Sequence, residues 1–198
     1  ICLREVERLD RAVASVLSMV RTHPPGMEPC SLHYVLSNAT EAVRPQLGQD
    51  HVRVEHRFEA GWDRVLGDSH DLEGVFVNLL VNAGEAMAGG GTVRVETKNR
   101  DMAASAPGLI CIRVSDEGPG EPAEIRGKIF RPFVSTKADG TGFGLAVARR
   151  SVEEHGGRVD LDSAAEDGVG ATFIVELPLA EGRPPTSDEE GPHTLEEE

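Results

Sequence analysis

Five glycines fall in two clusters, Gly118/Gly120 and Gly140/Gly142/Gly144, on either side of a segment that carries Phe130 and Phe133. Glycine permits positive φ and close backbone approach, so two such clusters suit a chain that wraps a ligand. The second cluster runs into Leu145-Ala-Val-Ala-Arg-Arg-Ser-Val152, a good helix former. Glycine turns entering a helix N-terminus bring free N–H groups and a positive dipole end to one place, where phosphate groups can sit. Neither cluster is a Walker-type loop, because no Gly-x-x-x-x-Gly-Lys-Ser/Thr occurs. Gly140, Gly142 and Gly144 follow a Lys-Ala-Asp loop rather than a strand, which also departs from the dinucleotide fingerprint. Taken singly, each cluster is equally well read as a tight surface loop.

A third element lies upstream, Asn78-Leu-Leu-Val-Asn82-Ala-Gly-Glu85-Ala86. Asn78 and Asn82 are four apart and share one face of the expected helix. Asparagine is a mediocre helix former, and its side-chain oxygen can ligate a hard cation. Bonding to neighbouring backbone is the other use for such a pair.

In order, Asn-Leu-Leu-x-Asn-Ala, Asp-x-Gly-x-Gly, Ile-Phe-x-Pro-Phe and Gly-x-Gly-x-Gly-Leu resemble the catalytic ATP-binding domain of sensor histidine kinases. That domain belongs to the gyrase, chaperone, histidine-kinase and mismatch-repair superfamily, and the resemblance covers roughly residues 29 to 179. It implies an α/β two-layer sandwich of the Bergerat type, a mixed and mostly antiparallel sheet with helices on one face, preceded by one long helix. It implies ATP and magnesium as cofactors, with Asn82 holding the metal and Asn78 beside it. Glu85, one turn on, could assist. Asp116 would accept a hydrogen bond from the exocyclic amine of adenine, although an Asp also commonly opens a turn before Gly-Pro-Gly. Gly118 and Gly120 would let the backbone pass the base. Phe130 and Phe133 would anchor the lid base in the core, and Thr136, Lys137 and the loop to Gly140 would form a short lid of the nitrogen-regulation type, with Phe133, Thr136, Gly140, Thr141 and Gly142 contacting the nucleotide. Gly144 and Leu145 would open the phosphate-facing helix, and Thr172 fits the last motif, near the lid. Lys137 is read as a phosphate contact, since a point charge on a flexible stem suits phosphate oxygens; as a lone surface lysine it could equally be solvated. Glu121 departs from the pattern, where an aliphatic residue is usual.

Position 78 separates branches of the superfamily. The ATP-hydrolysing members carry a glutamate four residues before the magnesium Asn. An amide is not a useful general base, so Asn78 favours transfer to a protein acceptor over hydrolysis. Transfer of a γ-phosphoryl group is mainly positioning and charge neutralisation. Three other readings stand beside a histidine kinase: a nucleotide-binding regulatory module without kinase activity, an anti-sigma-type protein-serine kinase, and a plain ATPase.

The rest of the chain sets the context. Residues 1–22 read as a helix with Val6, Leu9, Val13, Val16 and Val20 on a heptad seam. By resemblance this is the second helix of a dimerising hairpin whose first helix is absent; an amphipathic helix packed on its own domain would show the same stripe. Residues 23–30 read as a linker, 31–180 as the catalytic domain and 181–198 as an acidic disordered tail. Within the domain, helices are expected over 32–47, 69–87 and 143–155, capped by Ser31, Asp68 and Gly156-Gly157. A short helix or turn falls at 122–128. Strands are expected over 52–58, 64–66, 92–97, 109–114, 158–161 and 171–177. His155, at a helix terminus, reads as structural.

The formal net charge of -14 argues against nucleic acid and anionic membrane surfaces as partners. Cys2, Cys30 and Cys111 show no metal or Cys-x-x-Cys spacing, which fits a reducing cytoplasm. No apolar run reaches the length of a membrane span, so no direct membrane contact is expected, while a full-length parent can be membrane-anchored. None of the seven histidines lies in the sequence context of a phosphoacceptor. The acceptor is therefore expected on an upstream helix. The implied partners are a second copy, bound through the N-terminal helix, and the receiver domain of a response regulator.

Overall fold

The computed structural model describes residues 26–87, 89–100, 108–135, 137, 142–162 and 170–180. The heptad stretch 1–22, Thr136, Gly140, Thr141 and the acidic tail lie outside the described residues. In chain order the elements are β1 (Glu28–Ser31), α1 (Leu32–Gln49), β2 (Val52–Phe58), β3 (Arg64–Gly67), α2 (Ser69–Ala86) and β4 (Gly91–Arg100). There follow β5 (Leu109–Ser115), α3 (Ala123–Arg126), α4 (Gly144–Glu154), β6 (Arg158–Asp162) and β7 (Thr172–Pro178).

Five strands form one sheet in the order β2-β4-β5-β7-β6. The β2–β4 pair is parallel, and the other three pairs are antiparallel. Alternation decides which face is covered. Ile110, Ile112 and Val114 of β5 are buried, while Cys111 and Arg113 between them are only partly so. The buried side meets α1 through Leu32, Val35, Leu36, Ala39, Val43 and Leu47, and α2 through Leu72, Val75, Phe76, Leu79, Leu80 and Ala83. Both sets recur at three- and four-residue spacing, the signature of a helix with one apolar stripe. The opposite sheet face carries ion pairs. The α/β sandwich with a mixed, mostly antiparallel sheet and helices on one face is therefore as expected.

The expected caps form. The Ser31 hydroxyl accepts from Tyr34 N–H at 3.3 Å. Asp68 Oδ1 accepts from His70 N–H at 3.0 Å and Asp71 N–H at 3.2 Å. Each cap contributes about 1 kcal/mol. At the far end of α4, Gly156 takes φ 71 and Gly157 N–H reaches Val152 O at 2.9 Å. His155 is structural: it is 5% exposed, its Nε2 accepts from Asp68 N–H at 3.0 Å, and its Nδ1 lies 2.7 Å from Ser151 O. It thereby ties the end of α4 to the start of α2.

The last three residues of the expected linker, Glu28 to Cys30, belong with Ser31 to a strand. Glu28–Ser31 pairs antiparallel with β3, with Pro29 opposite Leu66. Proline lacks an N–H and is tolerated in such a ribbon because an edge strand need not donate on both sides. A bridge between Val65 and Leu179 ties the ribbon to the end of the main sheet. Among the described residues, no helix is long and apolar enough to cross a membrane.

Candidate functional site

Three segments converge at one end of the sandwich: the C-terminal half of α2, the N-terminus of α4, and the turn that follows β5. The turn is built around Asp116, which is 7% exposed. Its backbone N–H donates to Ala171 O at 2.9 Å. Its Oδ1 accepts from Gly118 N–H at 2.9 Å and Ala171 N–H at 3.2 Å. Oδ2 has no partner among the described residues. Burial pushes the Asp116 carboxyl above its ordinary value, while the two backbone N–H bonds and the Lys137 charge pull the other way. A carboxylate held by one oxygen, with the second still an acceptor, is built to take a hydrogen bond from outside the chain.

Glycines make this turn possible. A Cβ on Gly118 would stand 2.9 Å from Asp116 Oδ1 and 3.0 Å from the Ala86 Cβ. Gly120, at φ 72, would place a Cβ 2.7 Å from Gly170 O. Gly170 matters most: at φ 85, its Cβ would fall 2.0 Å from Asp116 O. From sequence Gly170 belongs only to a connection and Ala171 only to the start of the last strand, yet Ala171 bonds the Asp116 backbone and side chain and Gly170 packs against the Asp116 carbonyl. The available signal was the doublet Gly168-Val-Gly170 ahead of the last strand. Thr172, 7% exposed, donates to Ser115 Oγ at 3.0 Å. Its hydroxyl therefore bonds across to β5, next to Asp116.

On α2, Asn82 and Glu85 converge on Lys137. The Lys137 ammonium donates to Asn82 Oδ1 at 3.0 Å, Asn82 O at 3.2 Å and Glu85 Oε2 at 2.8 Å. A cation is thus already seated on Asn82, the residue expected to hold magnesium, and on Glu85 beside it. An amide oxygen, a carbonyl and a carboxylate are hard donors of the kind that ion accepts. The donor set therefore fits the metal, with the ammonium as its stand-in. Asn78, one turn earlier, faces α4: its Oδ1 would lie 3.1 Å from a Cβ on Gly144. Gly144 thus lets the start of α4 approach α2 closely. The N-cap residue Phe143 provides no side-chain cap to α4, so the helix keeps its N-terminal dipole for another acceptor. Leu145 is half-buried against the core.

Phe133 corrects an expectation. It does not anchor the lid base in the core but is 80% exposed, with φ 66. Its ring meets Phe143 edge-on at 4.7 Å, and its N–H donates to Gly142 O at 3.0 Å. Gly142, at φ 68, lies so close that a Cβ would sit 2.7 Å from the Phe133 carbonyl carbon. The left-handed backbone turns the ring outward. Phe130 behaves as expected, packing edge-on against Phe173 at 6.3 Å. Glu121 offers its backbone carbonyl to Arg126 Nε at 2.8 Å. Thr136, Gly140 and Thr141 lie outside the described residues.

Taken together, the site offers a buried acceptor, a set of cation-binding oxygens, a lysine and an uncapped helix N-terminus. These suit a ligand with a donor-bearing ring at one end and anionic groups at the other. Comparison with known proteins points the same way. Residues 67–181 match the family model described as histidine kinase-, DNA gyrase B-, and HSP90-like ATPase. The sensory histidine kinase/phosphatase NtrB of Rhodobacter capsulatus is 34% identical over 184 residues, covering 89% of this chain and 50% of that protein. The chain thus spans about half the length of this curated relative. Among solved structures, the mycobacterial sensor histidine kinase MprB superposes with a TM-score of 0.65 at 30% identity. That match covers 76% of this chain and 97% of the other. Full-length ShkA in complex with AMPPNP superposes with a TM-score of 0.72 at 25% identity, over 90% of this chain and 38% of the other.

Proposed function

The chain belongs to the histidine kinase-, DNA gyrase B-, and HSP90-like ATPase family, and we propose that it is the ATP-binding catalytic part of a two-component sensor histidine kinase. Asp116 accepts from the adenine amine through Oδ2, with Gly118 and Gly120 leaving room for the base. Asn82 holds magnesium, assisted by Glu85, and the start of α4 at Gly144 and Leu145 receives the phosphates. Magnesium, when bound, neutralises phosphate charge. Lys137 supplies a positive charge from the protein, and Asn78 orients without abstracting a proton. The γ-phosphoryl group passes to a histidine on an upstream helix, and from there to an aspartate of a response regulator. In the full-length protein, residues 1–22 form half of a dimerisation hairpin, 23–30 lead out of it, 31–180 carry catalysis and 181–198 form an acidic tail. The protein works in the cytoplasm.

The observation that carries this reading is Asp116: buried, satisfied on Oδ1 by two backbone N–H groups, and open on Oδ2. The test mixes the 198-residue chain with magnesium-ATP and a separate helical hairpin bearing the parent protein's acceptor histidine. An acid-labile, base-stable phosphoryl group on the hairpin is the expected result. Release of inorganic phosphate with no labelled hairpin would contradict it and favour the plain ATPase.

A further inference from the structure

Lys137 has a second consequence, which rests on the magnesium assignment just proposed. An ammonium has three donors. Here all three are directed at α2, to Asn82 Oδ1, Asn82 O and Glu85 Oε2. The lysine is positioned for this by its own turn: its N–H donates to Ser135 Oγ at 3.1 Å, and that hydroxyl donates back to Lys137 O at 3.3 Å. In this arrangement no donor remains for a phosphate. A divalent ion cannot share the oxygens either. Magnesium binds oxygen at about 2.0–2.1 Å, which would bring it within roughly 5 Å of an ammonium 3.0 Å from the same Asn82 oxygen, close range for two like charges.

We infer that Lys137 is a built-in competitor of the metal: ammonium and divalent cation exclude one another on the Asn82 and Glu85 oxygens. Metal arriving with nucleotide displaces the lysine, and the ammonium is released beside the incoming phosphates. The α2 oxygens therefore keep a positive partner throughout. Metal without nucleotide binds poorly because the lysine must be removed with nothing to receive it. Lys137 is thus a positioning residue for metal loading as well as a phosphate contact.

The experiment uses Mn²⁺ as the paramagnetic probe and follows broadening of the Asn82 side-chain amide resonances in the full chain. It compares wild type with Lys137→Met in the absence of nucleotide. Lys137→Met is expected to broaden at a Mn²⁺ concentration at least about tenfold lower than wild type, as one interfering charge is removed. Equal midpoints would overturn the inference. A stability cycle gives a second reading. Lys137→Met and Glu85→Gln should each lower Tm by about 1–3 °C, and the double variant no further than the larger single change. Fully additive shifts would show that the two side chains do not interact, and would also overturn it. AMPPNP titration separates this from the kinase reading. Mn²⁺ competition without AMPPNP binding leaves the inference standing and sinks the kinase assignment. AMPPNP binding with equal Mn²⁺ midpoints does the reverse.

Discussion

Two carboxylates in this protein are equally hidden and differently used. Asp116 is 7% exposed and Glu176 5%. Glu176 points from β7 to the sheet face away from the helices. There Arg100 from β4 reaches its Oε1 at 3.2 Å and Arg158 from β6 reaches its Oε2 at 2.7 Å. Both of its oxygens are taken by guanidinium groups of the same chain. Among the described residues Asp116 has no such partner: its side-chain ties are to backbone N–H groups, both on Oδ1, within a wall of glycines. A buried charge must be paired or hydrogen-bonded, and the two sites meet that demand in opposite ways. Glu176 clamps three strands. Asp116 is satisfied only as far as folding requires and keeps one acceptor oxygen for a ligand. Burial alone therefore does not mark a functional carboxylate; the unused oxygen does.

The largest way to break this contrast is Gly170→Ala. Its Cβ would collide with Asp116 O at 2.0 Å from a backbone at φ 85. A loss of about 3 kcal/mol of stability is expected, with nucleotide binding lost as the turn shifts; chemical denaturation and calorimetry read the two effects. Next is Asp116→Asn, which keeps an acceptor for Gly118 and Ala171 but can turn a donor toward the adenine amine. Affinity should fall at least about a hundredfold, or roughly 2.7 kcal/mol, while Tm moves by only a few degrees. Glu176→Gln should do the converse. It should lower stability by about 1–2 kcal/mol, since a hydrogen-bonded charge is lost beside two arginines that are themselves largely exposed, and leave affinity within twofold.

The smallest effect is the pH dependence of Asp116. Its carboxyl is raised in the folded protein, so the folded state holds this proton more tightly than the unfolded one. Its contribution to stability is present below the unfolded value and is lost as pH rises through the folded value. Binding runs the other way, because the ionised form is the acceptor. Affinity should decline as pH falls through that same raised value. Asp116→Asn should flatten both profiles, and Glu176→Gln should leave the binding profile in place.

What the sequence revealed follows the same division between local and distant causes. Asp68 could be read as a cap because its partners, His70 and Asp71, are two and three residues away. The strand alternation at Ile110, Ile112 and Val114 and the Asn78–Asn82 spacing are likewise local. β1 was missed because four residues that include Pro29 have no alternation of their own; their partner strand starts at Arg64. Gly170 was missed because its reason is Asp116, far away in the chain. Phe133 misled because an aromatic in an Ile-Phe-Arg-Pro-Phe run looks like core. Only the backbone turn that Gly142 permits shows the ring facing out. The sequence points to Lys137 as a phosphate contact, and its three α2 oxygens are not legible there, since a lysine's partner is set by the fold.

The most direct test of the account is calorimetric titration of AMPPNP with magnesium into three proteins: wild type, Asp116→Asn and Glu176→Gln. Wild type and Glu176→Gln should bind in the micromolar range, on the order of -7 to -8 kcal/mol, and Asp116→Asn should give no measurable heat. Binding by Asp116→Asn equal to wild type, or no binding by wild type itself, would contradict the claim that Asp116 is the carboxylate kept open for nucleotide.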